Sequence, residues 1–460
     1  MRSTFSILVI IFVQFTLLGQ SSLNVNFLDN WRTDTLLSNS SEARYSDCWG
    51  YEKDGIEYAF IGSTEGIHFF KITDNKFEAI DFIAGRYSST SVIHRDLKTY
   101  KNFLYSVCDE GESSLQIIDL SYLPDSAVLV AENDTTFAQV HNLFIDPQNE
   151  LLYACLITPK SNGTLLSQKS MEVFSISDPV SPTLVYSGPN DIPEVHDAYV
   201  RNNISYLNCG FDGLRIYDFS TPSSPIFIQN IAIYQDQGYN HQGWLSPDGK
   251  TYVFGDETNG KKLKRCTVDE NNILTIKQRF GTNTQNGSVP HNIILTDNFA
   301  FVAYYNEGFR IYDLRNSSVK EIAHYDTYPQ QHSYKLNGAW GVYSELPSGR
   351  ILISDRQNGL FLLDFNRSLF STSSNGDISI SPNPVSNGEF INIRLNGRRI
   401  TSFNAKIIDT KGKEIIFKSF YNSNAGSIPI YFSKGIYFIQ IEYIDYLGDT
   451  IRESKRLIVH

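Results

Sequence analysis

The sequence is poor in sulfur and has no excess of basic residues. Its 460 residues include five Cys and two Met, and 39 Lys and Arg against 50 Asp and Glu give a net charge of -11. An acidic chain without a clustered basic stripe is a poor match for nucleic acid or an anionic membrane, so neither is an expected partner. The Gly-x-Ser-x-Gly, His-Glu-x-x-His and P-loop motifs are also missing, so no short motif identifies an enzyme class.

Long apolar runs are missing as well, with one exception near residue 1. Arg2 is followed by the apolar stretch Phe5–Leu18 and then by small residues, Gly19 and Ser21 among them. This order is typical of a cleaved signal peptide, and the run is shorter than the roughly 18–20 residues that span a bilayer. We expect residues 1–20 to be a signal peptide and the mature chain to have no transmembrane segment.

Aromatic residues, in contrast, are abundant at 13% of the chain. They recur in short apolar runs, three of which, separated by turn residues, make up the stretch 289–314. Seven copies of this pattern have anchor residues 45 to 55 positions apart: Trp49, His94, His141, His196, His241, His291 and Trp340. A repeat of this length made of short strands predicts one propeller blade per repeat, and therefore an all-β, seven-bladed β-propeller over residues 24–366.

The seventh repeat has only three strand-like runs before the chain leaves it at Asn366. The early segment Asn24–Leu37 resembles the fourth runs of other repeats, such as residues 77–85 and 225–234. We expect this segment to supply the missing outer strand. Such pairing would close the ring and remove exposed sheet edges.

A second domain follows the repeats. Residues 367–377 are polar, rich in Ser and without periodicity, which predicts a linker. Residues 378–460 contain five further strand-like runs. Their number and length predict a small β-sandwich of about 80 residues.

Motifs in this region resemble a known export signal. They are Pro382-Asn383-Pro384, the turn 409–413, Gly435 with Tyr437, and Lys455 in the last run. In combination they resemble the type A sorting domain of the type IX secretion system of Bacteroidota. The resemblance implies export across the outer membrane, with the secretion machinery as a partner and removal of this domain.

The repeat region resembles a second family. The residues that carry the resemblance are 47–51 (Asp-Cys-Trp-Gly-Tyr), 94–96 (His-Arg-Asp), His141-Asn142 and the recurring Gly-[Leu/Phe]-x-Ile-x-Asp runs. They are similar to the choice-of-anchor B family of LVIVD-like repeat proteins. This resemblance implies a propeller body at the cell surface and no particular chemistry.

Five histidines share one position, at the start of the first strand of their repeats, and Trp49 and Trp340 stand near it in the two others. Because the first strand of each propeller blade lines the central channel, we expect these side chains to surround one channel mouth. The polar residues beside the histidines and the acidic residues of the loops after the second strands should open on the same face: Asp96, Asn142, Asp197, Gln242 and Asn292, and Glu65, Asp109, Glu110, Asp212, Asp256, Glu257, Glu307 and Asp355.

Two interpretations of this histidine ring stay open. The rings could be structural, each bonded to the backbone of a neighbouring strand and repeated because the unit is repeated. They could instead form, with Asp96, Asp197, Asn142 or Asn292, a site for a divalent cation or a polar ligand. Cys108, Cys155 and Cys209 also share a position, 13 or 14 residues after their histidines. Small buried residues filling one niche explain it better than a metal or redox site.

These observations favour a secreted binding or scaffold module at the cell surface, with a protein or a polysaccharide as its ligand. The alternative is a metal-assisted hydrolase or lyase that uses the histidines. A near-uniform ring argues against catalysis, because an active site needs a few residues in distinct roles. The fold by itself does not decide between them.

Overall fold

The structure is a computed structural model. It describes residues 21–282, 288–296, 298–329, 336–367, 378–395, 402–421, 423, 425–444 and 450–460. The expected signal peptide and all but the first residue of the expected linker lie outside the described residues. Within those residues the regular elements are β-strands and no α-helix is formed, so the chain is all-β.

Strands β1–β31 belong to the repeat region. In chain order they are β1 (Ser22–Leu23), β2 (Val25–Trp31), β3 (Tyr45–Lys53), β4 (Ile56–Ser63), β5 (Gly66–Thr73), β6 (Lys76–Ala84), β7 (Arg95–Tyr100), β8 (Phe103–Cys108), β9 (Leu115–Asp119), β10 (Val128–Asn133), β11 (Asn142–Asp146), β12 (Leu151–Ile157), β13 (Lys160–Ser161), β14 (Thr164–Leu165), β15 (Lys169–Ser175), β16 (Thr183–Ser187), β17 (Asp197–Arg201), β18 (Ile204–Asn208), β19 (Leu214–Asp218), β20 (Ile226–Ile231), β21 (Asn240–Leu245), β22 (Thr251–Asp256), β23 (Leu263–Val268), β24 (Leu274–Phe280), β25 (Ile293–Leu295), β26 (Phe299–Ala303), β27 (Phe309–Asp313), β28 (Lys320–Tyr325), β29 (Ala339–Tyr343), β30 (Ile351–Asp355) and β31 (Gly359–Phe365).

Each repeat folds into one antiparallel sheet. Sheets 1 to 7 are β3–β6, β7–β10, β11-β12-β15-β16, β17–β20, β21–β24, β25–β28 with β1 added, and β29–β31 with β2 added, while β13 and β14 form a separate hairpin. The first strand of every sheet contacts the first strand of the next, and β29 of sheet 7 contacts β3 of sheet 1. The sheets therefore stand in a closed ring around their first strands.

The ring is closed by the early segment, as its sequence predicted. Strand β2 pairs antiparallel with β31, from Val25 opposite Phe365 to Trp31 opposite Leu360. Strand β1 pairs with β28 of sheet 6, which the sequence pattern did not indicate. The same short segment thus holds two neighbouring sheets and leaves the outer edge of β31 covered.

The repeated glycine before the third strand has a steric cause. Gly213, Gly308 and Gly359 all have positive φ angles, between 70° and 85°. A Cβ atom at these positions would lie 2.1–2.4 Å from a backbone carbonyl oxygen of the fourth strand. Only glycine combines this conformation with so close an approach. The turn at this point in the repeat therefore depends on it.

The C-terminal region consists of two further sheets. Its strands are β32 (Ile378–Ser381), β33 (Phe390–Leu395), β34 (Ser402–Asp409), β35 (Glu414–Tyr421), β36 (Ala425–Pro429), β37 (Gly435–Ile444) and β38 (Thr450–Val459). One sheet has the order β32-β33-β36 and the other β35-β34-β37-β38. Side chains from both sheets, such as Ile391 and Ile407, join one buried apolar cluster.

Candidate functional site at the centre of the sheet ring

Six aromatic side chains form a closed circle where the first strands begin. Successive ring centroids are 4.1–5.3 Å apart in the order His94, His141, His196, His241, His291, Trp340 and back to His94. The structure thus brings together all five histidines that share a sequence position, and one of the two tryptophans.

These rings surround a small central recess. Its lining residues are Asp47, His94, Arg95, Asp96, His141, Asn142, His196, His241, His291, Asn292 and Trp340. The recess offers about 20 Å³ to solvent. A single water needs about 10–15 Å³, so this space suits one water molecule or one ion.

Trp49 lies away from the circle. Its indole Nε1 donates to Thr99 Oγ1 at 3.0 Å, and its ring packs against Tyr343 at 4.8 Å. Asp47 lines the recess in its place, because β3 carries a register shift between Tyr45 and Cys48. A bulge of this kind changes which residue faces the channel, and spacing along the sequence does not show it.

On one side of the circle, two histidines pair with carboxylates of a single loop. His94 Nδ1 lies 2.5 Å from Glu110 Oε1 and 3.5 Å from Asp109 Oδ1, and His141 Nδ1 lies 2.6 Å from Asp109 Oδ2. Burial by itself lowers the pKa of His94, but hydrogen bonds to Asp109 and Glu110 overcome it and raise the pKa to about 9. Burial likewise opposes ionisation of Asp109, yet the two imidazoles hold its pKa well below the usual value. His94 is therefore a protonated partner of these carboxylates at neutral pH.

On the other side the imidazoles are neutral. Burial lowers the pKa of His241 to about 4, against the opposing charge of Glu257. Burial followed by the neighbouring imidazoles places the pKa values of His196 and His291 well below normal. Glu257 reaches this side from the loop after β22, with its Oε2 3.8 Å from His241 Nε2 and its Oε1 3.9 Å from His291 Nε2.

A buried lysine lies next to the recess. Lys98 Nζ donates to Asp96 Oδ1 at 2.8 Å and to Asp47 Oδ2 at 3.4 Å, and Asp96 Oδ2 accepts from the backbone N–H of Leu143 at 2.8 Å. Burial lowers the pKa of Lys98, but the carboxylates more than offset this. Burial also raises the pKa of Asp47 and of Asp197 well above normal, with Lys98 opposing the shift. Asp96 thus joins the first strands of sheets 2 and 3, and Lys98 links it to Asp47 of sheet 1.

The polar residue beside His241 has a similar connecting role. Gln242 Oε1 accepts from the N–H of Ile293 at 2.9 Å, and its Nε2 donates to the carbonyl of Ile293 at 3.2 Å. This bidentate contact fixes β21 against β25. Asn142 and Asn292 line the recess.

Sequence reasoning included the acidic loops but did not single out the three carboxylates that reach the circle. Asp109, Glu110 and Glu257 do so, whereas Asp256 binds buried Lys264 at 2.6 Å and Glu307 binds Arg310 at 2.7 Å. The sequence signal was weak, because every one of these loops is acidic.

The five cysteines are free and buried. Cys108, Cys155 and Cys209 are each 0% exposed. Burial raises the pKa of each thiol. Such thiols are unreactive, which agrees with the interpretation that they are space-filling residues.

An exposed aromatic pair rises beside the circle. Phe211, in the loop between β18 and β19, is 73% exposed and packs edge-to-face on Tyr239 at 5.2 Å. Tyr239 in turn packs on His196 at 5.3 Å. Glu194 lies beside Tyr239, and burial is the main cause that raises the pKa of this carboxyl. The aromatic pair is therefore continuous with the histidine circle.

The sorting motif is also a structural unit. Asn383 Nδ2 donates to the carbonyl of Arg456 at 2.7 Å, and its Oδ1 accepts from the N–H of Ile458 at 3.0 Å. Gly435 pairs with Val459 at the start of β37. Further along the strand, the Tyr437 hydroxyl donates to the carbonyl of Ser433 at 2.7 Å. Lys455 lies on the same last strand, opposite Ile439.

Comparison with known families decides the role of this region. Residues 379–459 match the secretion system C-terminal sorting domain family. The chain carries a type IX secretion sorting domain. This domain directs the protein to the cell surface or the extracellular space, with the type IX machinery as its export partner. None of the described residues belongs to a helix long and apolar enough to cross a membrane.

The other comparisons concern the whole chain. A search of curated proteins found no match. Among solved structures, the chain is similar to the β-propeller domain of Cps50 (Swd1) from Myceliophteria thermophila, with 12% identity, a TM-score of 0.47 and coverage of 74% of this chain and 99% of that one. It is also similar to a putative 6-phosphogluconolactonase from Bacteroides uniformis, with 14% identity, a TM-score of 0.47 and coverage of 85% and 97%.

Proposed function

We propose that residues 24–366 form a seven-bladed β-propeller of the choice-of-anchor B kind and bind a polysaccharide outside the cell. The propeller assignment is supported by the ring of sheets, in which each first strand contacts the next and β29 contacts β3. The 378–460 region is, in this proposal, a β-sandwich that is removed after export. Residues 367–377 link the two domains.

The exposed Phe211 ring, packed on the half-buried Tyr239, carries the binding proposal. The Phe211 ring is 73% exposed, and an apolar ring loses no hydrogen bonds to water when a ligand covers it. Sugar rings present C–H faces that pack on aromatic surfaces. Glu194 beside Tyr239 and the Gln237 side chain, which donates to the carbonyl of Phe211 at 3.1 Å, add polar groups for hydroxyls. An aromatic face with adjacent polar groups suits a carbohydrate better than an apolar peptide.

The central recess argues for binding rather than hydrolysis. The imidazoles of His196, His241 and His291 are buried, and the recess that they line has room for about one water molecule. The Phe211 face, in contrast, is open to solvent. This difference favours the binding module over the metal-assisted hydrolase.

Affinity electrophoresis in gels cast with extracellular polysaccharides tests the proposal. We expect retardation of the full mature chain by at least one polysaccharide, and about a tenfold weaker affinity for Phe211→Ala, which corresponds to about 1.4 kcal/mol. Tyr122→Ala is a matched control, because Tyr122 is also exposed, at 56%, but lies in sheet 2 after β9. Equal mobility of Phe211→Ala and the parent chain in every polysaccharide would refute the proposal.

A further inference from the structure

Three neighbouring sheets bring three imidazoles and one carboxylate together. His196 immediately precedes β17, His241 lies in β21, His291 precedes β25, and Glu257 follows β22. One donor atom each from His196, His241 and Glu257 lie within 4.8 Å of one another. Nε2 of His291 lies 3.9 Å from the same carboxylate. Four potential ligands thus converge from sheets 4, 5 and 6.

The separations suit two donors on one ion better than a hydrogen bond. Glu257 is 3.8 Å from His241 Nε2 and 3.9 Å from His291 Nε2, and both distances exceed hydrogen-bond length. Ligand atoms bound at about 2.0–2.2 Å from one ion are separated by at most about 4.4 Å. Both separations lie within that limit, so small side-chain movements bring Glu257 and these two imidazoles to one ion, with His196 beside them.

Hydrogen bonds on the far side of two rings select the tautomer that a metal needs. His196 Nδ1 donates to the carbonyl of His241 at 3.2 Å, and His291 Nδ1 donates to the carbonyl of Trp340 at 2.7 Å. A neutral imidazole that donates through Nδ1 carries its lone pair on Nε2. Metal-ligating histidines are oriented in this way by backbone carbonyls.

The carboxylate is oriented as well. The Tyr305 hydroxyl donates to Glu257 Oε1 at 2.5 Å, and Tyr305 packs on His291 with ring centroids 4.8 Å apart. His241 is 3% exposed, so its ring is shielded from solvent.

We propose that His196, His241, His291 and Glu257 bind one divalent first-row transition-metal ion of the Zn²⁺ class. Three imidazole nitrogens and one carboxylate oxygen make a four-coordinate set that such ions prefer. The central recess, with about 20 Å³ of space, accommodates one ion.

The opposite side of the circle also brings three potential ligands together, His94, Asp109 and His141, but it is a poorer metal site. His94 Nδ1 and His141 Nδ1 each lie within 2.6 Å of a carboxylate oxygen, at Glu110 and Asp109. Each pair is already joined by a hydrogen bond, which an ion would have to displace. His94 is therefore a matched control: it belongs to the same circle but not to the proposed ligand set.

The test is metal binding by the full mature chain after removal of metals with a chelator. Titration with Zn²⁺ in a calorimeter is expected to give one site with a Kd below about 1 μM, and Co²⁺ is expected to give the visible absorption of a four-coordinate ion. His241→Asn is expected to weaken Zn²⁺ binding at least about 100-fold, while His94→Asn changes it by less than about threefold. Glu257→Gln keeps the shape and volume of the side chain. If circular dichroism shows that His241→Asn is unfolded, the Zn²⁺ affinity of Glu257→Gln tests the proposal instead.

Two results would overturn the proposal. One is a parent chain that binds neither Zn²⁺ nor Co²⁺ with a Kd below about 10 μM. The other is a loss of binding in His94→Asn as large as in Glu257→Gln, which would move the site to the His94 side. Neither result bears on polysaccharide binding, which is measured separately through Phe211.

Discussion

The side chain of Trp31 contributes to ring closure by joining the two ends of the repeat region. Trp31, the last residue of β2, pairs with Leu360 of sheet 7. Its ring packs on Phe70, His68 and Tyr45 of sheet 1, at centroid distances of 4.7, 4.6 and 5.8 Å. Replacing it with alanine removes the aromatic contact between β2 and sheet 1 while leaving β2 in place.

The magnitude follows from burial. Truncating a fully buried Trp to Ala costs about 3–5 kcal/mol, and Trp31 is only half-buried, so we expect a loss of about 2–3 kcal/mol in the free energy of unfolding. For a body of this size that corresponds to a fall of about 4 °C in melting temperature. Removing residues 24–37 should cost more, because it also leaves β31 unpaired.

The assay is urea unfolding of the purified mature chain, monitored by far-UV circular dichroism. This signal comes from the backbone and is therefore retained when Trp31 is replaced. Phe227→Ala is the control, because Phe227 is an aromatic residue of the outer strand β20, is 51% exposed and contacts Tyr217 within its own sheet. We expect that control to lose less than about 1 kcal/mol. Equal losses in Trp31→Ala and Phe227→Ala would refute the role of Trp31 in closing the ring.

Three further predictions concern charge and export. In His94→Asn the free energy of unfolding should fall by about 2–3 kcal/mol at pH 6 and by much less at pH 9.5. The reason is that the folded-state pKa of His94, about 9, lies above its unfolded value. The stabilisation is therefore complete below about pH 6.5 and is lost as pH rises through 9. Equal losses in urea titrations at the two pH values would contradict this prediction. Lys98→Met should cost about 3–5 kcal/mol because it leaves buried carboxylates without their cation, whereas Lys101→Met, at an exposed pair, should leave the urea midpoint nearly unchanged. Asn383→Ala should retain the protein inside the native host, as deletion of the sorting domain should, because both hydrogen bonds to the last strand are lost; Asn392→Ala, on an exposed position of β33, should be exported normally in the same fractionation.

The export function was readable from the sequence for a local reason. The Pro382-Asn383-Pro384 motif, Gly435 with Tyr437 and Lys455 lie in short segments whose residue types are set by turns and by one strand pairing. The motif residues therefore stand at recognisable spacings in the linear sequence. The family match over residues 379–459 confirms this prediction.

The sequence by itself determined where each sheet of the repeat region would form and that β2 would complete sheet 7. Strand and turn patterns depend on neighbouring residues, so alternation and turn glycines such as Gly308 are visible in one dimension. Only the tertiary structure decided which side chains meet at the centre. Asp109 reaches His141 of the next sheet, Glu257 lies between two histidines, and a register shift in β3 turns Asp47 rather than Trp49 toward the recess. These contacts join separate sheets, and their geometry depends on strand register and on closure of the ring, which no local pattern encodes.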